Sequence, residues 1–160
     1  MFVTTTVVDW TPLFADRECA TEVLRQLDET LSHFRASVCA YVLMPSHLHA
    51  LLGFGQVELL SRAMQSFKSL STRRLRPLIP SKWREVFTPG DRFAVWRPRF
   101  DDLIIWSQEQ FHIKANYIHN NPVKAGLARR PTDYPFSSAR DWELDRSGLI
   151  KIDRDWSWTD

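Results

Sequence analysis

The sequence predicts an α+β sandwich of the ferredoxin-like or RRM-like kind: an antiparallel sheet with helices on one face, followed by a further C-terminal helix. Three observations predict it. Strand-like and helix-like stretches alternate in the order β, α, β, β, α, β, α. The central two strands are separated only by Pro45 and Ser46, which leaves room for nothing but a hairpin. No repeat and no low-complexity tract interrupts the 160 residues, which excludes solenoids and linkers and leaves room for one domain with a real core.

Residues 2–8 are rich in β-branched side chains and read as the first strand. The chain then turns through Pro12, and Asp16 offers an N-cap for a helix to about His33, with Cys19, Val23, Leu24, Leu27 and Leu31 along one face. Residues 37–44 and 47–54 follow as the two strands of the hairpin. A second helix over about residues 57–75 stops before Pro77 and turns Leu59, Leu60, Met64 and Phe67 inward. Pro77, Pro80, Pro89 and Gly90 break residues 76–90 into a loop expected to be basic and mobile. Residues 93–97 form a further strand. Asp101 or Asp102 then caps a third helix ending at Asn121, because Pro122 disfavours α geometry in the residue before it, and Gly126 supplies a positive-φ cap beyond. From Tyr134 the chain becomes a polar, tryptophan-containing tail, expected to pack back on the domain or to stay clear of nucleic acid. The domain proper is thus residues 1–130 and the C-terminal extension 131–160.

Composition excludes several classes. Apolar residues at 44% and charged residues at 25% are ordinary globular values, not those of a collagen, a coiled coil or a disordered chain. No apolar run approaches the ~20 residues a membrane-spanning helix needs, and residues 1–8 lack the basic start of a signal peptide. The expectation is a soluble cytoplasmic protein without a membrane partner. Cys19 and Cys39 form no C-x-x-C motif and are expected to be core thiols.

The net charge of +2 hides a strong asymmetry. Residues 1–61 carry net −4, residues 62–99 net +8 and residues 100–160 net −2. The basic block interleaves Arg73, Arg74, Arg76, Lys82, Arg84, Arg92, Arg97 and Arg99 with Phe67, Trp83, Phe87, Phe93 and Trp96. Guanidinium forks suit phosphates and aromatic faces suit unstacked bases, so the mixture fits a groove for single-stranded nucleic acid; it equally fits a solvated charged face. Phe67, Trp83 and Trp96 either stack bases or fill the core.

Two constellations carry chemistry. His47 and His49 sit at i and i+2 of a strand, so both imidazoles project to one face and can reach one metal ion, or can simply be hydrogen-bonded sheet histidines. Some seventy residues on, Tyr117 and Asn121 are four apart on a helix with Lys114 one turn earlier on the same side. Tyr117 is either a reactive phenol or a core tyrosine, Lys114 either a phosphate contact or an exposed helix lysine. His119 lies on another side of the helix and reads as structural or exposed.

The segments Tyr-Val-Leu-Met-Pro-Ser-His-Leu-His-Ala-Leu-Leu (41–52) and Tyr-Ile-His-Asn-Asn-Pro-Val-Lys-Ala-Gly-Leu (117–127) closely resemble the two signature blocks of the single-tyrosine HUH transposases, the insertion-sequence-200-like family. Phe67-Lys68-Ser69, Val95-Trp96-Arg97 and Tyr134-Pro135-Phe136-Ser137-Ser138 look like the branch of REP-associated tyrosine transposases. Ser46 stands where the family usually has asparagine, and Asp101-Asp102 replaces a more usual aromatic-Asp-His stretch. The resemblance implies a ferredoxin-like core and a metal-dependent endonuclease and strand transferase for single-stranded DNA, acting on hairpins such as REP-type palindromes. It implies Tyr117 as nucleophile, and His47, His49 and the amide oxygen of Asn121 as ligands of a divalent ion, Mg²⁺ or Mn²⁺. It also makes Lys68, Arg73, Arg74, Arg76, Lys82, Arg97, Arg99 and Lys114 candidate DNA contacts. A phenol with a pKa near 10 is handicapped as a nucleophile by about 4 kcal/mol at neutral pH, which is why a cation beside the phosphate would be wanted. Two rival readings are a non-catalytic single-strand binder and a metal phosphodiesterase in which water attacks. A monomer and a homodimer that shares its sites between copies are both compatible with the sequence.

Overall fold

Alternation through β1 (Phe2–Thr6) assigns its side chains to opposite faces of a sheet. Val3, and Val7 just past the strand, enter the larger core, while Phe2 and Thr4 point to the other side. β1 lies between β3 (His47–Gly53) and β4 (Asp101–Leu103), and β3 pairs with β2 (Ser37–Met44), giving the antiparallel order β2-β3-β1-β4. That is the split βαβ order of a ferredoxin-like fold, as the sequence predicts. The computed structural model describes residues 1–156; the last four residues of the expected C-terminal extension lie outside the described residues. Among the described residues no helix is long and apolar enough to cross a membrane.

α1 (Arg17–His33) begins where the Asp16 carboxylate accepts a hydrogen bond from the Cys19 N–H at 2.9 Å. Its Cys19, Val23, Leu24, Leu27 and Leu31 are buried with Leu60, Met64 and Phe67 of α2 (Leu59–Leu75) against one face of the sheet. Each such leucine contributes roughly 1.5–3 kcal/mol through apolar area removed from water. Leu59, expected inward, is only half-buried. Both cysteines are buried free thiols. The opposite face of the sheet receives α3 (Gln108–Lys124), whose Phe111, Ala115 and Ile118 cluster with Val42, Met44 and Leu51. Alternation lets β2 serve both cores, and a register shift between Val38 and Ala40 puts Cys39 and Ala40 in succession in the α3-side core.

Residues 76–104 depart from expectation. The 76–90 loop is held by buried Ile79 and Phe87 and by two single 3₁₀ turns. Residues 93–97 do not form the expected strand: Trp96 makes one bridge to Val7, supported by Val8 N–H to Val95 O and Arg97 N–H to Thr6 O, both 2.9 Å. Pro98 then has no N–H to donate and Arg99 turns left-handed at φ 65°, so pairing breaks and resumes as β4. Asp101 and Asp102 are therefore strand residues rather than helix caps. The cap of α3 is Ser107, whose hydroxyl accepts from the Gln110 N–H, while the Gln110 side chain accepts from the Trp106 N–H at 2.9 Å. At its other end α3 runs through Pro122 and stops at Gly126, φ 73°, because the proline forfeits only its own donor while Ala125 N–H still reaches Asn121 O at 3.0 Å.

The tail packs back. Phe136 O accepts from the Leu43 N–H at 2.8 Å, the Tyr134 hydroxyl donates to Leu43 O at 2.7 Å, and the Trp142 indole donates to Cys39 O at 2.8 Å from α4 (Ala139–Leu144). These bonds cover the outer edge of β2, which would otherwise offer a row of unpaired backbone groups.

Candidate active site

His47 and His49 stand at the start of β3 on the α3 face of the sheet, as strand alternation requires, with ring centroids 4.7 Å apart. Each is held through one nitrogen: His49 Nδ1 lies 2.7 Å from the Thr4 hydroxyl and His47 Nδ1 lies 3.1 Å from the Ser46 hydroxyl. This leaves Nε2 of each ring as the atom available to a ligand. Burial lowers the pKa of His47. It pushes His49 down to about 3, with the neighbouring His47 and the Lys114 ammonium adding to the shift. Both rings are neutral near pH 7, the form that coordinates metals.

α3 brings the second constellation over this pair. The Tyr117 ring lies 5.4 Å from His49 at 70°, and Phe2 stacks on His49 at 5.7 Å while meeting Tyr117 edge-on at 6.1 Å. Tyr117 is 40% exposed, so the alternative of a core tyrosine is set aside. The Lys114 ammonium sits over Phe2 at 4.7 Å and over Tyr117 at 5.6 Å. Asn121 follows one turn after Tyr117, half-buried on the same side. His119 points elsewhere, buried against Ser138 Oγ at 2.8 Å, and burial lowers its pKa to about 4.

Among the described residues no cluster of three His, Cys, Asp or Glu side chains could hold a metal. Two neutral imidazoles, each engaged at Nδ1 by a hydroxyl that leaves Nε2 for a ligand, nevertheless suit a divalent cation, and an amide such as Asn121 is the kind of neutral oxygen donor that would complete the set.

The candidate DNA contacts divide. Arg97 and Arg99 are exposed and, with Thr4 and Thr6, line a shallow pocket of about 150 Å³ beside the histidine face. Lys68 is turned inward, its ammonium donating to the carbonyls of Arg97, at 2.7 Å, and of Arg99; burial lowers its pKa to about 8. Arg74 is bound to Glu22 and Glu29 of α1. Arg73 is exposed, Arg76 lies over Phe93 at 5.3 Å and Lys82 over Trp83 at 4.5 Å. Phe67 and Trp96 are core residues, so the base-stacking alternative does not apply to them. Phe2, Thr4 and Trp10, which the sequence reading passed over, all touch the histidine pair. Only the i, i+2 spacing of Phe2 and Thr4 was visible beforehand; their register against His49 was not.

A ferredoxin-like sheet that carries a histidine pair beneath a helix-borne tyrosine defines a class of α+β proteins with one composite polar site. The model of the family described as "Transposase IS200 like" matches residues 8–121, and the chain belongs to that family. The REP-associated tyrosine transposase of Escherichia coli (strain K12) is 28% identical over 103 residues, covering 62% of this chain and 52% of that protein; the chain thus spans about half the length of that relative. A solved structure described as the REP-associated tyrosine transposase bound to a REP hairpin superposes with a TM-score of 0.72 at 19% identity, covering 99% of this chain and 84% of the other. At that identity the likeness is one of fold.

Proposed function

We propose that the chain is a metal-dependent endonuclease and strand transferase for single-stranded DNA, acting through a 5′-phosphotyrosine on hairpin-containing DNA such as REP-type palindromes. The observation that carries this reading is an exposed phenol, Tyr117, seated 5.4 Å from the inner member of a neutral histidine pair. Tyr117 Oη attacks the scissile phosphorus and loses its proton as the new O–P bond forms; the 3′ oxygen leaves and takes up a proton. The ester retains the energy of the broken phosphodiester, so the 3′-OH of a second strand can displace Tyr117 without ATP. Lys114, beside the phenol, contacts the phosphate or the leaving group. His47 and His49, with Asn121, would hold Mg²⁺ or Mn²⁺, which when bound supplies Lewis-acid neutralisation of the phosphoryl oxygens. Thr4 and Ser46 fix the two rings, and Arg97 and Arg99 hold the strand against the β1 face.

The test is a labelled REP-type hairpin incubated with protein and Mn²⁺ or Mg²⁺, resolved on a denaturing gel. A protein-linked band is expected, and Tyr117→Phe is expected to abolish it while DNA affinity stays within a few-fold. Cleaved product without a linked band would instead assign the reaction to water, and binding with neither product would leave a single-strand binder.

A further inference from the structure

Trp10 is 58% exposed, although a tryptophan normally buries most of its large apolar surface. The chain holds it there at a conformational cost: Asp9 and Trp10 are consecutive non-glycine residues in left-handed geometry, both at φ 53°. The turn is also tied down. Trp10 N–H donates to Val7 O and Thr11 N–H to Val8 O, each at 3.1 Å, and the Thr11 hydroxyl donates to Val8 O at 2.8 Å. On either side of the turn, Val7 N–H reaches Ser46 O and Phe14 N–H reaches Pro45 O, both at 2.9 Å. Those two carbonyls belong to the residues immediately before His47. The indole is therefore fixed relative to the histidine pair, and it meets the His47 ring at 5.8 Å and 71°.

Other aromatic side chains are less suited to meet a base here. Phe67, Phe87 and Trp96 are buried, while Phe93 and Trp83 already carry Arg76 and Lys82. Trp106 is exposed but precedes α3, and from Gln108 to Tyr117 that helix runs, at 1.5 Å per residue, roughly 14 Å away from it. The exposed Asp9 carboxylate beside Trp10 disfavours a phosphate at that rim but not the neutral face of a base.

We propose that Trp10 is a stacking platform that takes one unpaired nucleobase of the DNA strand next to the reacting phosphate, on the His47 side of the site. The proposal rests on the functional reading above, and its test reads binding separately from chemistry. Affinity is measured by fluorescence anisotropy for a REP-type hairpin with single-stranded flanks, and abasic nucleotides are then placed at each flank position in turn. Trp10→Ala is expected to weaken binding about 5- to 150-fold, the usual worth of one stacked base, while Trp10→Phe stays within about threefold. One abasic position is expected to weaken the wild type by a similar factor and to cost Trp10→Ala nothing further. Trp10→Ala binding within about twofold of wild type, or an abasic penalty equal in both proteins at every position, would overturn the proposal. So would a wild type indifferent to every abasic position, an outcome that does not depend on how the variant folds. Wild-type binding with the abasic signature but no covalent adduct would defeat the strand-transfer reading and leave the stacking platform standing.

Discussion

Thr4 and Ser46 decide which nitrogen each imidazole offers. With His49 Nδ1 engaged at 2.7 Å by the Thr4 hydroxyl, the ring is held in orientation and Nε2 is the nitrogen left for a ligand. Partners of this kind typically alter metal affinity 10- to 100-fold when removed. Thr4→Val keeps the shape and loses the hydroxyl, so it is expected to raise the Mn²⁺ concentration for half-maximal cleavage by about one order of magnitude, with Thr4→Ser close to wild type. A metal titration of adduct formation measures this; equal half-points for Thr4→Val and wild type would show that the hydroxyl does not orient the ring. Phe2 acts by contact instead, stacked on His49 and edge-on to Tyr117, so that one residue of β1 registers a strand histidine against a helix phenol.

α3 is where element and tail are coupled. His119 on this helix is buried against Ser138, whose hydroxyl in turn accepts from the Tyr41 N–H of β2 at 2.9 Å. Burial holds the ring neutral down to about pH 4, whereas the unfolded chain binds a proton below about 6.5. Stability from this ring is therefore complete above pH 6.5 and lost as pH falls through the folded value, about 3 kcal/mol between pH 7 and pH 4. Urea denaturation in metal-free buffer is expected to show wild type losing that much more than His119→Gln over this range; parallel pH profiles would refute the coupling. The helix also shows what the sequence could and could not disclose. α1 and α2 were legible because their apolar spacing faces a core on one side, and the hairpin because two apolar runs, buried on both faces, meet at Pro45 and Ser46. β4 was not, because Asp101, Asp102 and Leu103 are all exposed on an edge and only backbone pairing with β1 makes them a strand. The apolar 93–97 run gave the stronger signal and yielded one bridge. The start of α3 was readable after all, in Ser107 and Gln110 three residues apart, but two aspartates nearby suggested an earlier start. The two periodicities grouped His47 with His49 and Tyr117 with Lys114 and Asn121 but left each group a structural alternative; the resemblance to the transposase family joined them into one site, whereas Thr4, Phe2 and Trp10 depended on tertiary register.

Across the whole molecule, charge is less evenly available than the sequence implies. The net +8 of residues 62–99 counts Lys68 and Arg74 with the rest, yet one ammonium is committed to the carbonyls of Arg97 and Arg99 and one guanidinium to two glutamates. Lys68 thereby shapes the turn that presents Arg97 and Arg99 beside Thr4 and the histidines. Each phosphate neutralised by a free cation adds about 0.7 to the slope of log affinity against log salt for a single strand and about 0.9 for a duplex. The double variant Arg97→Ala/Arg99→Ala is accordingly expected to lower that slope by about 1.5, because both guanidinia are exposed next to the site. Arg74→Ala is expected to leave the slope unchanged and to cost at most about 1 kcal/mol of stability, the ordinary worth of a surface ion pair. Anisotropy titrations of one hairpin across a series of salt concentrations separate the two variants. A slope that drops with Arg74→Ala but not with the double variant would move the DNA track off the β1 face and onto the outer side of α2, away from Tyr117.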